Sequence, residues 1–199
     1  MTRTANAKRP EELLEEVTAY LTRNGIAELS LRPLAKAVGS SPRVLLYYFG
    51  SKEELVVMAL ARMRERQRVT YERMKSLPFE TPREACRIIW QHMSAPENEK
   101  LFRMSLEIFA MALRQPQKFA EYLRATIEDW LGFLSAPLEK KGYSKDEARA
   151  HATVVLSGFR GFMLDYCASR DRARLDRAVE LWLHALDAIP LRKENPNGE

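Results

Sequence analysis

Residues 29–55 read LSLRPLAKAVGSSPRVLLYYFGSKEEL, and the punctuation of this stretch decides the fold. Ser30 stands where a helix over residues 31–38 needs a cap, and Gly39 stops that helix. Ser41-Pro42 restarts the chain as cap and first helical residue, and Gly50 ends the second helix. Ser51 with Glu54 is a capping box that opens a third, running to about Met74. The middle helix mixes Arg43 with the rings of Tyr47, Tyr48 and Phe49. A helix that only fills a core hides its aromatics behind one apolar face. One that carries ring, hydroxyl and cation together has a second surface to serve.

Working outward, the same signals recur along the chain. Pro10 with Glu11 and Glu12 starts a helix with acids at its positive end, Leu13, Leu14, Val17 and Leu21 repeat at helical spacing, and Asn24-Gly25 closes it. After a break at KSLPFETPREA (75–85), Thr81 with Glu84 and Ser144 with Glu147 form further capping boxes. Helices are expected over 82–94, 97–114, 117–140, 145–168 and 172–188, with Pro137 kinking the third of these or ending it early. The polar tail 191–199 reads as frayed. Gly is scarce, with 8 in 199 residues, and no alternating apolar pattern of convincing length suggests strands. The expectation is an all-α chain, with three short helices, a connector and five longer helices.

Residues 31–50 have the requirements of a helix-turn-helix. Ala35 is small where a second helix must cross closely, and Gly39 tolerates a positive φ at the turn. Leu34, Val38, Leu45 and Tyr48 join both helices to Leu13, Val17 and Leu21 of the first. The second helix of such a unit enters the major groove with its N-terminal residues at the base edges. Those residues are Ser41, Pro42, Arg43 and Val44. Arg43 matches the two acceptors of guanine, and Val44 offers a methyl surface to thymine. Tyr47 is expected to present its hydroxyl to a phosphate, with Tyr48 beside it. Lys52 and the backbone N–H groups at Ser51 meet the next phosphates, and Ser30 and Arg32 clamp the opposite backbone. Residues 1–52 carry +3 of the net +5, which fits a polyanionic partner. The arm TRTANAKR (2–9) is long enough to reach a minor groove or is simply a disordered end, whereas the arginines of RMRERQRVTYERMK (62–75), interleaved with acids, read as a solvated face.

Together these residues resemble the TetR-type transcriptional regulators. LLYYFGSKEEL (45–55) follows that family's pattern of leucine-tyrosine-x-histidine/tyrosine-phenylalanine-x-serine-lysine-glutamate-x-leucine. The chain departs from the pattern in carrying Arg43-Val44 where members often have Gly-Thr, and Leu46 where a tyrosine is frequent, with Tyr47 expected to take over its phosphate contact. Ser40 fills a place usually held by a small apolar residue. The resemblance implies a DNA-binding domain at 1–52 and a helical ligand-binding and dimerisation domain at 53–199. It implies a homodimer joined through the last two long helices. Spacing supports an apolar face there, from Val155, Phe159, Phe162 and Tyr166 in one helix, with Gly158 and Gly161 allowing close approach, and from Leu175, Val179, Trp182, Leu186 and Ile189 in the other. The resemblance also implies a ligand cavity, and the apolar residues between these elements, Trp90, Met93, Met104, Phe109, Met111, Phe119, Trp130, Phe133, Phe159 and Met163, suit a small hydrophobic or aromatic effector. Ser105 stands among them as a polar contact, with Gln91, Glu107 and Arg160.

Enzymatic readings find no support in the residues. His92, His151 and His184 are isolated from triad or ligand patterns, and no phosphate loop or hydrolase motif occurs. Cys86 and Cys167 lack metal or redox spacing and read as buried free thiols of a cytoplasmic protein. No cofactor and no membrane span are expected. The leading expectation is a ligand-responsive DNA-binding repressor that binds a pseudo-palindromic operator as a homodimer. The alternative is a helical small-molecule-binding protein without sequence-specific DNA binding.

Overall fold

The computed structural model describes residues 10–26, 29–75 and 81–189. The arm at 2–9 and the tail at 191–199 lie outside them. Nine α-helices and no strand occur among the described residues. They are α1 (Pro10–Asn24), α2 (Leu31–Ala37), α3 (Pro42–Phe49), α4 (Lys52–Lys75), α5 (Pro82–Met93), α6 (Glu99–Arg114), α7 (Pro116–Lys140), α8 (Lys145–Ser169) and α9 (Arg172–Asp187), with a 3-10 turn at Pro96–Asn98. The chain divides into two compact units. One holds residues up to 69 together with 103–123, and the other holds 70–102 and the residues from 124 onward.

The first unit is built around the inner faces of α1 to α4. Leu13, Val17 and Leu21 of α1, Leu34 and Ala35 of α2, Leu45 and Phe49 of α3, and Leu55, Val56, Ala59 and Leu60 of α4 are all buried. Each junction is closed by its own hydrogen bonds. Gly39 has φ 63°, and the N–H groups of Gly39 and Ser40 donate to the carbonyls of Lys36 and Ala35 at 3.3 and 2.8 Å, a Schellman pair that ends α2. Ser41 accepts from the Val44 N–H at 3.3 Å. The capping box of α4 is reciprocal: Ser51 N–H donates to Glu54 Oε2 at 2.7 Å, and Glu54 N–H donates to Ser51 Oγ at 3.1 Å. From the 103–123 segment of the same unit, Glu107 accepts the Ile26 N–H at 2.9 Å, just past the end of α1.

The second unit packs α5, α7, α8 and α9. Ile89, Trp90 and Met93 meet Phe133, Phe159, Met163, Leu175, Val179 and Leu183 in one apolar cluster. Polar bonds at its edge fix the register of α5 against α9. Trp90 Nε1 donates to Asp176 at 2.6 Å, and Arg87 grips Glu180 with two bonds of 2.6 and 2.8 Å. Gly158 admits the Trp182 ring, since a Cβ there would stand 2.2 Å from Trp182 Cζ2.

Several sequence expectations are corrected. Ser30 occupies the cap position of α2, but its side chain makes no cap bond. Tyr48 is not core: Phe49 turns inward instead, four residues after Leu45, and Tyr48 stays 37% exposed. Pro137 does not end α7, which continues to Lys140. Cys167 is only half buried, whereas Cys86 is buried.

Gly158→Ala is expected to lower stability by about 1–3 kcal/mol, because the Trp182 ring is held by Phe159 and Phe162 and cannot step aside freely. Gly132→Ala is the control. Its new Cβ would meet nothing within 4 Å, and helix propensity alone should raise stability by roughly 0.5–1 kcal/mol. Urea unfolding of both variants measures the difference.

Candidate nucleic-acid interface and cavity

An isolated helix of eight residues is unstable in water. α3 is held by its caps and by Leu45 and Phe49, four residues apart on its inner side. That fixes what its outer side presents. Arg43 and Tyr47 share one line along the helix, and Val44 and Tyr48 the next. Arg43 is exposed, Tyr47 is 82% exposed and Val44 39%. Tyr48 stands edge-on between Tyr47, at 5.1 Å between ring centres, and Phe49, at 6.3 Å, so the buried Phe49 ring steadies the two tyrosines outside. Pro42 is half buried at the first turn and Ser41 is exposed. Ser30 and Arg32 are exposed at the start of α2. Neither Arg32 nor Arg43 has a carboxylate partner among the described residues.

The start of α4 differs from expectation. The Ser51 N–H does not face outward for a phosphate, because the Glu54 carboxylate already accepts it. Those bonds from Ser51 hold the Glu54 carboxyl below its usual range, so it stays charged and in place. Lys52 is half buried, and its Nζ donates to the Leu29 carbonyl at 3.2 Å. An ammonium has three donors, so two are left. Farther along α4 the arginine run is a solvated face with local pairs: Arg62 and Arg66 both meet Glu15 of α1, and Arg68 meets Glu65.

The residues expected to line a ligand cavity are divided between the two units. Met104, Ser105 and Phe109 belong to the first unit, where Met104 is buried and the other two half buried. In the second unit Trp90, Met93, Phe159 and Met163 are solid core, and Trp130 packs edge-on against Phe133. Of the expected residues, only Phe133 lines the cavity of about 330 Å³ found there. Its other walls come from the start of α5 (Thr81, Pro82, Ala85, Cys86, Ile89), the end of α7 (Leu134, Ala136, Pro137, Leu138, Lys140, Lys141) and the middle of α8 (His151, Val155). Sequence reasoning passed over them because it sought large apolar residues, and much of this wall is small. The one sequence sign was Pro137 inside a helical pattern. Burial pushes the Cys86 thiol up to about 12, so it stays protonated and serves as an apolar wall. Burial also holds the His151 imidazole below its ordinary value.

The residues expected at a dimer interface are largely used within the chain. Val155, Tyr166, Leu175, Val179 and Leu186 are buried in its own core, and Phe162 and Trp182 pack against that core half buried. The outward positions of α8 and α9 are different ones. Val154, Leu164 and Leu181 are 44%, 58% and 74% exposed. Among the described residues no cluster of side chains fits a metal ion, and no helix is long and apolar enough to cross a membrane.

His151 makes the pH dependence specific. Its folded value lies below the 6.5 of a free imidazole, so on acidification the unfolded chain takes up a proton first. Stability is therefore expected to fall as pH drops below 6.5, and His151→Gln should remove that part of the slope. The carboxyls of Glu54, Glu128, Asp165 and Glu180 are held low by hydrogen bonds and arginines, so their contribution is lost only at still lower pH, as each is protonated. Unfolding free energies measured from pH 7.5 to about 2 test both windows.

Residues 12–59 match the model of a family described as bacterial regulatory proteins, tetR family. A transcriptional regulator from Rhodococcus sp. Rha1 is similar over 92% of this chain and 100% of its own, at 22% identity and a TM-score of 0.71. A TetR-family transcriptional regulator from Cytophaga hutchinsonii is similar over 92% and 96%, at 18% identity and 0.72. A TetR transcriptional regulator from Legionella pneumophila is similar over 94% and 98%, at 20% identity and 0.67. No curated protein matches the sequence. At these identities the solved structures establish the fold, and the family match establishes the helix-turn-helix. Residues 12–59 are thus similar to the bacterial regulatory proteins of the tetR family, and the chain shares the all-helical fold of these solved structures.

Proposed function

We propose that the protein is a ligand-responsive transcriptional repressor that binds a pseudo-palindromic operator as a homodimer and is released by a small, mostly apolar effector. The observation that carries this reading is the two-sided α3. Leu45 and Phe49 anchor it, and Arg43, Val44 and Tyr47 stand outward where a groove-reading helix needs a cation, a methyl surface and a hydroxyl. Arg43 reads guanine, Val44 contacts thymine, and Ser41, Pro42 and Tyr48 complete the groove surface. Ser30, Arg32, Tyr47 and Lys52 hold phosphates. The DNA-binding domain is taken as 1–52 and the ligand-binding and dimerisation domain as 53–199, in a cytoplasmic protein without enzymatic activity.

The dimer surface is best drawn on the outward faces of α8 and α9. Ala150, Val154, Ser157, Gly161, Leu164 and Ala168 follow one exposed line along α8, and Leu181, Ala185 and Ala188 another along α9. A Cβ on Gly161 would meet nothing within 4 Å in the single chain, which leaves the backbone open to close approach by a second copy. Two recognition helices in such a dimer would address half-sites about 34–36 Å apart. Effector and operator favour different arrangements of the headpieces, and α4 transmits the difference, so each weakens the other's binding.

Selection of bound sequences from random duplex DNA, then affinity on the winner at several salt concentrations, tests the reading. A pseudo-palindrome with a steep salt slope is expected. Arg43→Ala should weaken binding roughly ten- to a hundredfold and relax preference at one base pair of each half-site. Weak, sequence-indifferent binding would sink the proposal in favour of a ligand carrier. Separately, Leu164→Glu with Leu181→Glu should give a folded monomer by sedimentation, with operator affinity lost. A dimer that persists in that variant removes the assigned face.

A further inference from the structure

We propose that the effector taken by this cavity is an amphipathic monoanion, an apolar chain or ring system ending in a carboxylate, with the carboxylate held at the mouth by Lys140 and Lys141. This deepens the ligand-responsive reading above and rests on it. Three independent features of the walls point the same way. The body of the cavity is apolar, walled by residues such as Ile89, Phe133 and Leu138. Among the described residues, Lys140 and Lys141 line it and no carboxylate does. Neither ammonium is paired with an acid among the described residues. The remaining polar wall also favours negative charge. Thr81 caps α5 by accepting the Glu84 N–H at 3.1 Å, which leaves its own O–H to donate, and the positive end of that twelve-residue helix stands at the same wall.

The volume sets the size. A space of about 330 Å³ holds on the order of ten groups of water or methylene size, at about 30 Å³ each. A saturated chain of medium length fills it, and decanoate is the natural probe. Decanol has the same chain without the charge, and decylamine has it with the opposite charge. Lysines at the end of a helix also complement its dipole, as Lys140 does for α7. That role affects stability alone. It does not make the protein prefer decanoate to decanol.

Calorimetric titration of the full-length protein with the three probes, and with the Lys140→Glu/Lys141→Glu variant, is the test. Decanoate is expected to bind about tenfold more tightly than decanol, and decylamine more weakly than either. In the double variant the preference for decanoate should vanish, with decanol affinity unchanged. Ala85→Phe, which places a ring in the cavity, should weaken decanoate and decanol alike. Equal affinities for decanoate and decanol in the native protein overturn the proposal, as does a decanoate preference that survives charge reversal. Operator affinity measured with saturating decanoate separates this inference from the reading beneath it. Selective decanoate binding with unchanged operator affinity upholds the ligand class and overturns the ligand-responsive repressor. Release of the operator by some other compound, with no binding of decanoate, overturns the ligand class alone.

Discussion

Everything the first unit can do depends on holding one eight-residue helix in a fixed orientation. α3 has too few internal hydrogen bonds to persist by itself. Its outward side chains can be presented only because the inner side is bound at Leu45 and Phe49 and both ends are closed, by Ser41 before it and by Gly50 after it. Gly50 has φ 74°, and its N–H donates to the Leu46 carbonyl at 2.9 Å, so the chain turns within one residue and α4 starts at once. The exposure of Tyr47 is thus a consequence of the burial of Phe49. Binding by such a helix loses little to ordering, because its orientation is already set.

The same economy explains why some expected contacts are absent. The start of α4 satisfies its own donors through the Ser51–Glu54 box, so its stability does not wait for a phosphate. The Lys52 ammonium is tied to the Leu29 carbonyl and is therefore positioned before any ligand arrives. In the second unit, the polar bonds of Trp90 with Asp176 and of Arg87 with Glu180 sit at the margin of an apolar cluster. There they fix which turn of α5 meets which turn of α9. Apolar packing by itself is less selective about register, since a leucine finds similar company one turn along.

Much of this was legible along the chain. Ser, Thr and Asp caps, Pro at first positions and Gly at ends act within a few residues, so helix starts and stops could be read locally. Leu13, Val17 and Leu21 were identified as the inner face of α1, and Leu34 and Leu45 as its partners. The errors arose where local signals are degenerate. Tyr48 and Phe49 are adjacent aromatics, and a shift of one residue decides which turns inward. Only the register set by Leu45 resolves it. Pro137 looked like a possible terminator, yet α7 continues beyond it to Lys140.

The sequence by itself determined the helical class, the order and limits of the helices, the helix-turn-helix and the residues at its outer face. These follow from backbone capping and from the 3.6-residue period, which are properties of a few neighbours. The tertiary structure decided which apolar faces are spent inside the chain and which stay outside it. Leu175, Val179 and Leu186 look by spacing like a surface for a second copy, but α5 and α8 cover them, and Leu164 and Leu181 face outward instead. It also decided where a cavity lies, walled in large part by small residues, two prolines and two lysines that no periodicity singles out. An apolar stripe records that something must cover it. What covers it depends on residues far away in the chain, and only folding brings those together.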